Sequence, residues 1–304
     1  MKKRNWQLII GLIFVALLAF ISIFGPHFPN LSPELKSVKE LINEDGSISK
    51  PPHPPSLKYP FGTDWSGGGI LSKLILGLNE VLVIIFGITL VRYLISIPLG
   101  FMSHYYKWAN GIHEVWNKFF SFVPSIFMII IVFNIPYIHY SPNRYVWIIF
   151  IIALLEVGRV ADVTKSQIQS IAQKEYITAA ISTGTSQKRL FKNYYFPALL
   201  PEMVVNMILD FSRNLFLIGQ LGIINIIISY KTEWNFENLE WGKVYESYKH
   251  VYSWPILLNN IGQDIWIAKW IPLIACGAIA FLVLGFFVLA EGLRKHFNKR
   301  QSYF

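Results

Sequence analysis

Long apolar runs separated by shorter polar segments set the pattern of the chain. The first run, Trp6–Phe24, has close to the ~20 consecutive apolar residues that cross the hydrocarbon core of a bilayer. Further runs of this kind predict spans near residues 78–102, 119–139, 145–163, 202–228 and 268–290. The pattern therefore predicts an all-α membrane protein with six transmembrane helices.

The first span is predicted to remain in the mature protein. Its apolar run is long for a signal peptide and ends at residues 23–26 without a small-x-small cleavage site. Lys2, Lys3 and Arg4 precede it, and basic residues also cluster in the 159–192 connection. Most basic residues of the opposite side lie in long loops, which the positive-inside rule discounts. Both termini are therefore predicted to be cytoplasmic, and the chain to be a multi-pass membrane protein.

Composition supports the membrane assignment. Of 304 residues, 53% are hydrophobic and 15% charged, and the mean hydropathy is +0.42, above what a solvated globular surface tolerates. The net charge of +9 follows from basic residues beside apolar runs, so we expect lipid and no nucleic acid as a partner. The single cysteine, Cys276, excludes an intrachain disulfide and is predicted to be a small buried core residue.

The spans divide the chain into four predicted parts: 1–24, an N-terminal transmembrane helix; 25–77, an external segment; 78–292, a five-helix core with a cytoplasmic connection at 166–200 and an external loop at 230–267; and 293–304, a basic cytoplasmic tail. In the external segment, the proline-rich run at 50–55 predicts a stiff, extended strap. The external loop holds aromatic residues that predict a belt at the membrane interface: Trp234, Trp241, Tyr245, Tyr248, Tyr252, Trp254 and Trp266.

A glycine-rich stretch, GTDWSGGGILSKLILG at 62–77, has the glycine spacing of a phosphate loop. Gly68 and Gly69 stand where the lysine and the hydroxyl residue of such a loop belong. The stretch is also predicted to be external, so we interpret it as a turn that leads into the second span. His113-Glu114 begins like a zinc-protease motif, but Asn117 replaces the second histidine. We therefore predict no catalytic residue and no metal site.

The longest cytoplasmic connection is also the most patterned. Residues 166–201 read SQIQSIAQKEYITAAISTGTSQKRLFKNYYFPALLP and predict a helical hairpin. The first helix is expected to end near Ser182, with Gly184 at the turn, where a positive φ is easiest. The second is expected to begin near Ser186 and to stop at Pro197. Charge alone leaves open that this hairpin lies on anionic lipid headgroups.

The hairpin resembles the EAA loop of permease subunits of binding-protein-dependent ABC importers. The matching residues are Glu175-Tyr-Ile-Thr-Ala179-Ala180-x-x-x-Gly184, followed at the expected interval by Phe196-Pro197. Phe196 stands where the family usually has leucine. The resemblance implies that the loop docks on a separate ATPase, and that coupling rests on seven positions: Glu175, Ala179, Ala180, Gly184, Lys188, Arg189 and Pro197.

Other segments resemble one branch of that family, the C-type permeases of the dipeptide, oligopeptide and nickel group. The external stretch at 59–77 is similar to the branch's HPLGTDxxGRD-x-LSRLIYG element, although residues 67–69 are all glycine where the branch has Gly-Arg-Asp. Trp241-Gly242 is similar to its SWG element, and residues 291–294 are similar to its DGLRD element. The resemblance implies a type I ABC importer permease fold over about residues 59–294.

The resemblance also implies the partners and the cargo. Such a chain pairs with a second, B-type permease subunit, with two ATPase subunits that hold ATP and Mg²⁺, and with an external substrate-binding lipoprotein. It binds no cofactor itself. Peptides are the commonest cargo of the group, while nickel, metal chelates or glutathione use the same design. Two alternatives from other classes are an intramembrane enzyme and a stand-alone secondary transporter, which would show an internal inverted repeat.

Charged residues inside the predicted spans are candidate functional residues, because placing them in hydrocarbon is costly. Asp210 and Arg213 are three residues apart on one face of the fifth span and are predicted to pair. Glu80 and Arg92 lie in the second span, where Arg92 needs a partner. These four residues are predicted to line either the pathway or a subunit interface. Glu156 and Arg159 form a further three-apart pair, placed near the inner end of the fourth span.

Overall fold

Helices make up most of the computed structural model, which describes residues 5–28, 41–42, 48–57, 59–139, 141, 143–228, 232–234, 246–248 and 252–301. Lys2, Lys3, Arg4, Trp241, Gly242 and Tyr245 lie outside the described residues. The α-helices are α1 Trp6–Phe24, α2 Ile70–Tyr105, α3 Lys107–Phe122, α4 Ser125–Phe133, α5 Pro136–His139, α6 Arg144–Leu155, α7 Val157–Ala172, α8 Glu175–Ser182, α9 Gln187–Leu190, α10 Phe196–Ile223, α11 Ile261–Ile267 and α12 Trp270–Gln301.

Short strands and tighter or wider turns complete the described elements. Strands β1 (Leu41–Ile42) and β2 (Ile48–Ser49) pair antiparallel, with Ile42 opposite Ile48. Strands β3 (Thr232–Trp234) and β4 (Glu246–Tyr248) also pair antiparallel. Both pairs lie in segments predicted to be external. Two 3-10 turns, Gly25–His27 and Trp254–Leu258, and one π-helical turn, Phe191–Tyr195, are also present.

The third predicted span, at 119–139, is not one continuous helix. Helices α3 and α4 meet at an angle of 88°. Between them Val123 is extended, with φ −116° and ψ 127°. The cause is Pro124, because the proline ring clashes with the preceding residue when that residue is helical. The fourth predicted span is likewise two helices, α6 and α7, which meet at Glu156.

Three helical segments of the described residues are long and apolar enough to cross a membrane: Trp6–His27, Ile70–Tyr105 and Trp270–Asn298. The number is four if the bent pair of α3 and α4 is counted as one span. Helix α6 is apolar but has only 12 residues. Helix α10 has 28 residues, but polar and charged side chains such as Asp210 and Arg213 lower its hydropathy. The chain therefore has the helical architecture of a multi-pass membrane protein.

Glycines bring α1 and α12 into close contact. A Cβ on Gly285 would lie 2.2 Å from the ring of Phe14, and a Cβ on Gly292 would lie 2.5 Å from the backbone of Leu8. The Asn5 side chain also donates to the Gly292 carbonyl at 2.7 Å. Small residues are what allow helix backbones to approach in a membrane, where apolar burial drives association weakly. The N-terminal helix is therefore packed along the last one.

Three sequence predictions about single residues are wrong. Pro197 does not stop the helix of the hairpin, because α10 runs through it from Phe196 to Ile223. A proline is tolerated near the start of a helix, and the wider π-helical turn immediately before it accommodates the ring. Cys276 is exposed on α12, because the sequence shows the apolar character of a helix but not which face its neighbours cover. Trp254 was expected in the aromatic belt, yet it is buried and its indole donates to the Leu74 carbonyl at 2.8 Å.

Candidate functional site

The hairpin predicted between the fourth and fifth spans is present. Helix α8 ends at Ser182 and α9 follows Ser186, as the sequence predicts. Gly184 has φ +80°. Its N–H donates to the Ile181 carbonyl at 2.9 Å, and the Thr185 N–H donates to the Ala180 carbonyl at 3.1 Å. This pair of bonds is a Schellman motif, and its left-handed position favours glycine.

The tip of the hairpin is open to a partner. A Cβ on Gly184 would meet no atom within 4 Å, and the side chains of Ile181, Lys188 and Arg189 are exposed. Ala179 faces outward, whereas Ala180 is buried beside Ile177 and Leu190. The predicted coupling residues therefore divide into an outer set that is free to make contacts and one inner residue that holds the hairpin together.

Glu175 stands in the first turn of α8 with its side chain exposed. Among the described residues its side chain has no hydrogen bond and no ion pair, so it does not hold the hairpin together. Its carboxylate instead lies at the positive end of the helix dipole, a favourable place for a negative charge. Its position leaves the side chain available on the same surface as the tip.

Aromatic residues join the base of the hairpin to the end of α2, which the sequence analysis missed. The Tyr105 hydroxyl donates to the Tyr195 hydroxyl at 3.0 Å. The ring of Phe101 lies 4.5 Å from that of Phe191, between centroids, and Tyr106 donates to the Gln187 side chain at 2.8 Å. A movement of the hairpin would therefore reach α2 as well as α7 and α10, with which the hairpin is continuous.

Five charged side chains meet between α2, α7 and α10. Asp210 accepts from Arg213 at 2.8 Å and from Arg159 at 2.9 Å. Arg159 also binds Glu156 at 2.8 Å, and Arg92 lies 3.2 Å from Glu156 and 3.7 Å from Asp210. The two three-apart pairs predicted from the sequence are therefore formed, and the structure joins them directly through Arg159 and Asp210 and also through Arg92. We call these five residues the buried charge cluster.

Polar side chains and a backbone carbonyl complete the surroundings of Arg92, which is fully buried. Its guanidinium donates to the Asn214 side chain at 3.1 Å and to the Ile152 carbonyl at 3.3 Å. Asn214 in turn donates to Thr89 at 2.9 Å. A buried charge is tolerated when it is paired and hydrogen bonded, so the cluster ties three helices together in the low-dielectric interior. Glu80 lies twelve residues before Arg92, about 18 Å along α2, and is not part of it.

The glycine-rich stretch, which the sequence predicts to be external, is a turn organised by Asp64. The carboxylate of Asp64 accepts from the Ser66 N–H at 3.2 Å and from the Gly68 N–H at 2.9 Å, and it forms an ion pair with Lys73. Gly62 and Gly67 have φ of +76° and +78°. A phosphate loop needs free backbone N–H groups aimed at the phosphate. Here the side chain of Asp64 already occupies two of them.

Residues from the C-terminal part of the chain close this turn. The Trp65 indole donates to Asp264 at 2.6 Å, and the Trp270 indole donates to the Thr63 carbonyl at 3.3 Å. Burial raises the pKa of the Asp264 carboxyl, an effect that the bond from Trp65 opposes. Thr63 also bonds the backbone of His53 at 2.7 Å, which holds the non-helical proline-rich strap against the turn.

Metal chemistry has no support in the part of the chain that the structure describes, where no group of three or more metal-ligating side chains comes together. His113, which begins the incomplete zinc motif, is buried, and its Nε2 lies 3.2 Å from the Gly158 carbonyl. This histidine therefore packs α3 against α7. It is a structural residue of the helix interface.

Comparison with known proteins identifies relatives along nearly the whole chain. The model of the family described as "Binding-protein-dependent transport system inner membrane component" matches residues 93–303. The dipeptide transport system permease protein DppC of Alkalihalophilus pseudofirmus is 25% identical over 294 residues, which cover 96% of this chain and 85% of that protein. The oligopeptide transport system permease protein OppC of Bacillus subtilis is 21% identical, with coverage of 96% and 85%. The nickel transport system permease protein NikC of Escherichia coli is 21% identical, with coverage of 97% and 95%.

Proposed function

Since this chain belongs to the family of binding-protein-dependent transport system inner membrane components, and is therefore a permease subunit and not an enzyme, we propose that it forms half of the translocation pathway for di- and oligopeptides. The cargo is proposed from its relatives, most of which are named for dipeptide, oligopeptide or peptide transport. The proposed system contains a second, B-type permease subunit, two ATPase subunits that bind ATP and Mg²⁺, and an external binding protein.

The hairpin is the observation that carries the proposed mechanism. Its tip, from Ser182 to Ser186, projects without contacts around Gly184, and its two arms continue into α7 and α10. A rigid element with these connections can convert a shift at its tip into a rotation of both helices. We propose that Glu175, Ala179, Gly184, Lys188 and Arg189 contact the ATPase, and that Ala180 and Pro197 maintain the shape of the hairpin.

The proposed topology has six spans and cytoplasmic termini, in a type I importer fold. Helix α10, at ~1.5 Å per residue, is about 42 Å long, enough to cross the bilayer. Helices α6 and α7 follow one another with only Glu156 between them, which supports one broken span. In this arrangement the hairpin is on the inner side with the ATPases, and the turn at residues 62–73 is on the outer side with the binding protein.

The coupling role is tested by a double substitution, Glu175→Lys with Gly184→Trp, in membranes that contain the chain together with its partner subunits. We expect ATP-driven uptake of a tripeptide to fall at least about tenfold. Glu175→Lys removes a negative charge that is favourable at the start of α8. Gly184→Trp places a large side chain at a position with left-handed backbone conformation and disturbs the fit of the tip to the ATPase. The matched control is Gly262→Trp, at another position with open space, which should transport normally. Undiminished transport and ATPase binding by the double variant would show that the hairpin is not the coupling element.

Nickel is the second candidate cargo, because the nickel permease NikC matches as much of the chain as the peptide permeases do. The same membranes distinguish the two cargoes. Uptake of radiolabelled tripeptide without uptake of ⁶³Ni²⁺ supports the peptide proposal. ATP-dependent uptake of nickel alone would replace it.

A further inference from the structure

One face of α10 carries polar side chains interspersed with apolar ones. Residues at alternating intervals of three and four are uncovered or partly uncovered along it: Glu202, Asn206, Leu209, Arg213, Phe216 and Gln220. This spacing places them in a single stripe on the helix. Apart from Arg213, none of the polar members has a side chain that forms a hydrogen bond among the described residues. We call this set the α10 stripe.

The exposed face of α12 provides the contrast. Its large uncovered side chains are Leu273, Phe281, Leu284 and Phe287, an apolar set that suits lipid tails. Charged and amide side chains in the membrane are costly unless they face protein or a water-filled cavity. The α10 stripe therefore faces the pathway between the two permease subunits, while the outer face of α12 faces lipid.

The buried charge cluster carries a surplus positive charge toward this stripe. It contains three arginines, Arg92, Arg159 and Arg213, against the two carboxylates Glu156 and Asp210. Arginine stays protonated in proteins, so the cluster retains one positive charge even with both acids ionised. Arg92 is fully buried, and Arg159 is 37% exposed but pairs with both carboxylates, whereas the side chain of Arg213 is 54% exposed and pairs with Asp210. The surplus is thus presented at Arg213.

Arg213 also has N–H donors that form no hydrogen bond among the described residues. Its guanidinium carries five N–H donors, and the structure assigns one hydrogen bond to it, from Nη1 to Asp210 at 2.8 Å. Asp210 holds one terminal nitrogen of the guanidinium, while more than half of the Arg213 side chain is uncovered. A planar fork of donors matches the two oxygens of a carboxylate.

We propose that Arg213, held by Asp210 and charged by the cluster behind it, binds the C-terminal carboxylate of a peptide in transit along the α10 stripe. This inference rests on the proposed function and adds to it a determinant of substrate choice within the membrane. Arg213 selects peptides with a free carboxyl end over those with a neutral end. The surplus charge also compensates the cost of moving that carboxylate through a low-dielectric passage.

The test compares trialanine with trialanine amide as substrates of the complete importer, reconstituted with wild-type chain, with R213Q and with R213K. The external binding protein also discriminates between the two peptides, but its contribution is the same for every variant, so it cancels when the acid-to-amide transport ratio is compared between variants. We expect R213Q to lower transport of trialanine about tenfold and transport of trialanine amide less than about twofold. The tenfold decrease corresponds to the loss of a charge-assisted hydrogen bond to the carboxylate. R213K should fall between, since lysine keeps the charge but loses the fork.

The matched control is Gln220→Leu, on the same stripe but without a charge, and it should leave the acid-to-amide ratio unchanged. Equal losses for both peptides in R213Q would overturn the inference, because they would show that Arg213 pairs with the second permease subunit instead of the substrate. An unchanged ratio with full transport would overturn it as well. If R213Q does not assemble with the ATPase, the acid-to-amide transport ratio of R213K tests the inference: a ratio below that of the wild type supports it, and an unchanged ratio overturns it.

The outcomes also separate this inference from the proposed function. Transport of both peptides with a ratio that does not depend on residue 213 refutes the carboxylate site and leaves the importer intact. A wild-type complex that transports neither peptide refutes the peptide cargo, and the carboxylate site falls with it.

Discussion

Gly77 shows how much a single residue decides in this protein. A Cβ at this position would lie 1.9 Å from the backbone carbonyl oxygen of Tyr252. The contact joins the start of α2 to the segment before the 3-10 turn at Trp254–Leu258, where Trp254 also bonds the backbone of Leu74. Because the opposing atom belongs to the backbone, no side-chain rotation relieves the clash. The absence of a side chain at residue 77 is therefore what lets these two segments pack against each other.

Gly77→Ala should destabilise the protein by about 1–3 kcal/mol, as overpacking in a tight interior does. Gly87→Ala is the matched control in the same helix, because its Cβ would lie 3.5 Å from Ile149, an ordinary contact. The control should be neutral or slightly stabilising, since alanine favours helix over glycine. Thermal unfolding in detergent measures both. Equal unfolding temperatures for the two variants would contradict the close contact at Gly77.

At the scale of elements, the junction of the hairpin and α2 is held by side chains as well as by chain connectivity. Tyr105 and Tyr195 share a hydrogen bond across ninety residues of sequence, in an aromatic cluster with Phe101 and Phe191. The π-helical turn at Phe191–Tyr195 lies at this junction, and turns of this kind frequently occur at functional sites. We expect the junction to transmit movement of the hairpin to α2.

A double-mutant cycle tests the bond itself. Tyr105→Phe and Tyr195→Phe should each lower stability by about 1 kcal/mol, and the double variant by no more than either alone, because the second change removes a bond that is already lost. Tyr105→Phe with Tyr106→Phe is the control pair, since Tyr106 bonds Gln187 separately, and these effects should add. Unfolding in detergent gives the free energies. Additive losses for Tyr105 and Tyr195 would mean that their hydroxyls act independently.

At the scale of the whole molecule, the proposed topology separates two surfaces by the thickness of the membrane. In that topology the turn organised by Asp64 and closed by Trp65 and Asp264 would lie at the outer surface. The hairpin with its exposed basic side chains would lie at the inner surface. The buried charge cluster lies between them, on α2, α7 and α10, which are also the helices that the hairpin can move. A shift of the hairpin would therefore change the surroundings of Arg213.

Cysteine labelling tests this orientation. Cys276 is first replaced by serine, because it is exposed, and single cysteines are then introduced as Leu57→Cys and Ser182→Cys, both at exposed positions. A membrane-impermeant maleimide should label residue 57 in intact cells and residue 182 only after the membrane is opened, since charged reagents cross the hydrocarbon core poorly. Labelling of residue 182 in intact cells would reverse the proposed orientation.

The sequence by itself determined the features that depend on local pattern. Apolar runs placed helices at all the predicted spans, and the residues around Gly184 identified the hairpin because a left-handed turn and helix ends are encoded by neighbouring residues. The motif at Glu175–Gly184 identified the family, which the comparisons confirm. The three-apart pairs of Glu156 with Arg159 and of Asp210 with Arg213 followed from helix geometry alone. Pro124, which breaks the third span, was a local signal that we overlooked.

Only the tertiary structure decided which distant residues meet. Arg92 contacts Asn214 across 122 residues of sequence and joins two ion pairs that the sequence placed on separate helices. Whether Cys276 and Trp254 are covered, and which face of α10 carries the polar stripe, depends on how helices rotate against one another. These features arise from contacts between segments that are remote along the chain, and hydrophobic periodicity shows that a helix has a buried face without showing which element covers it.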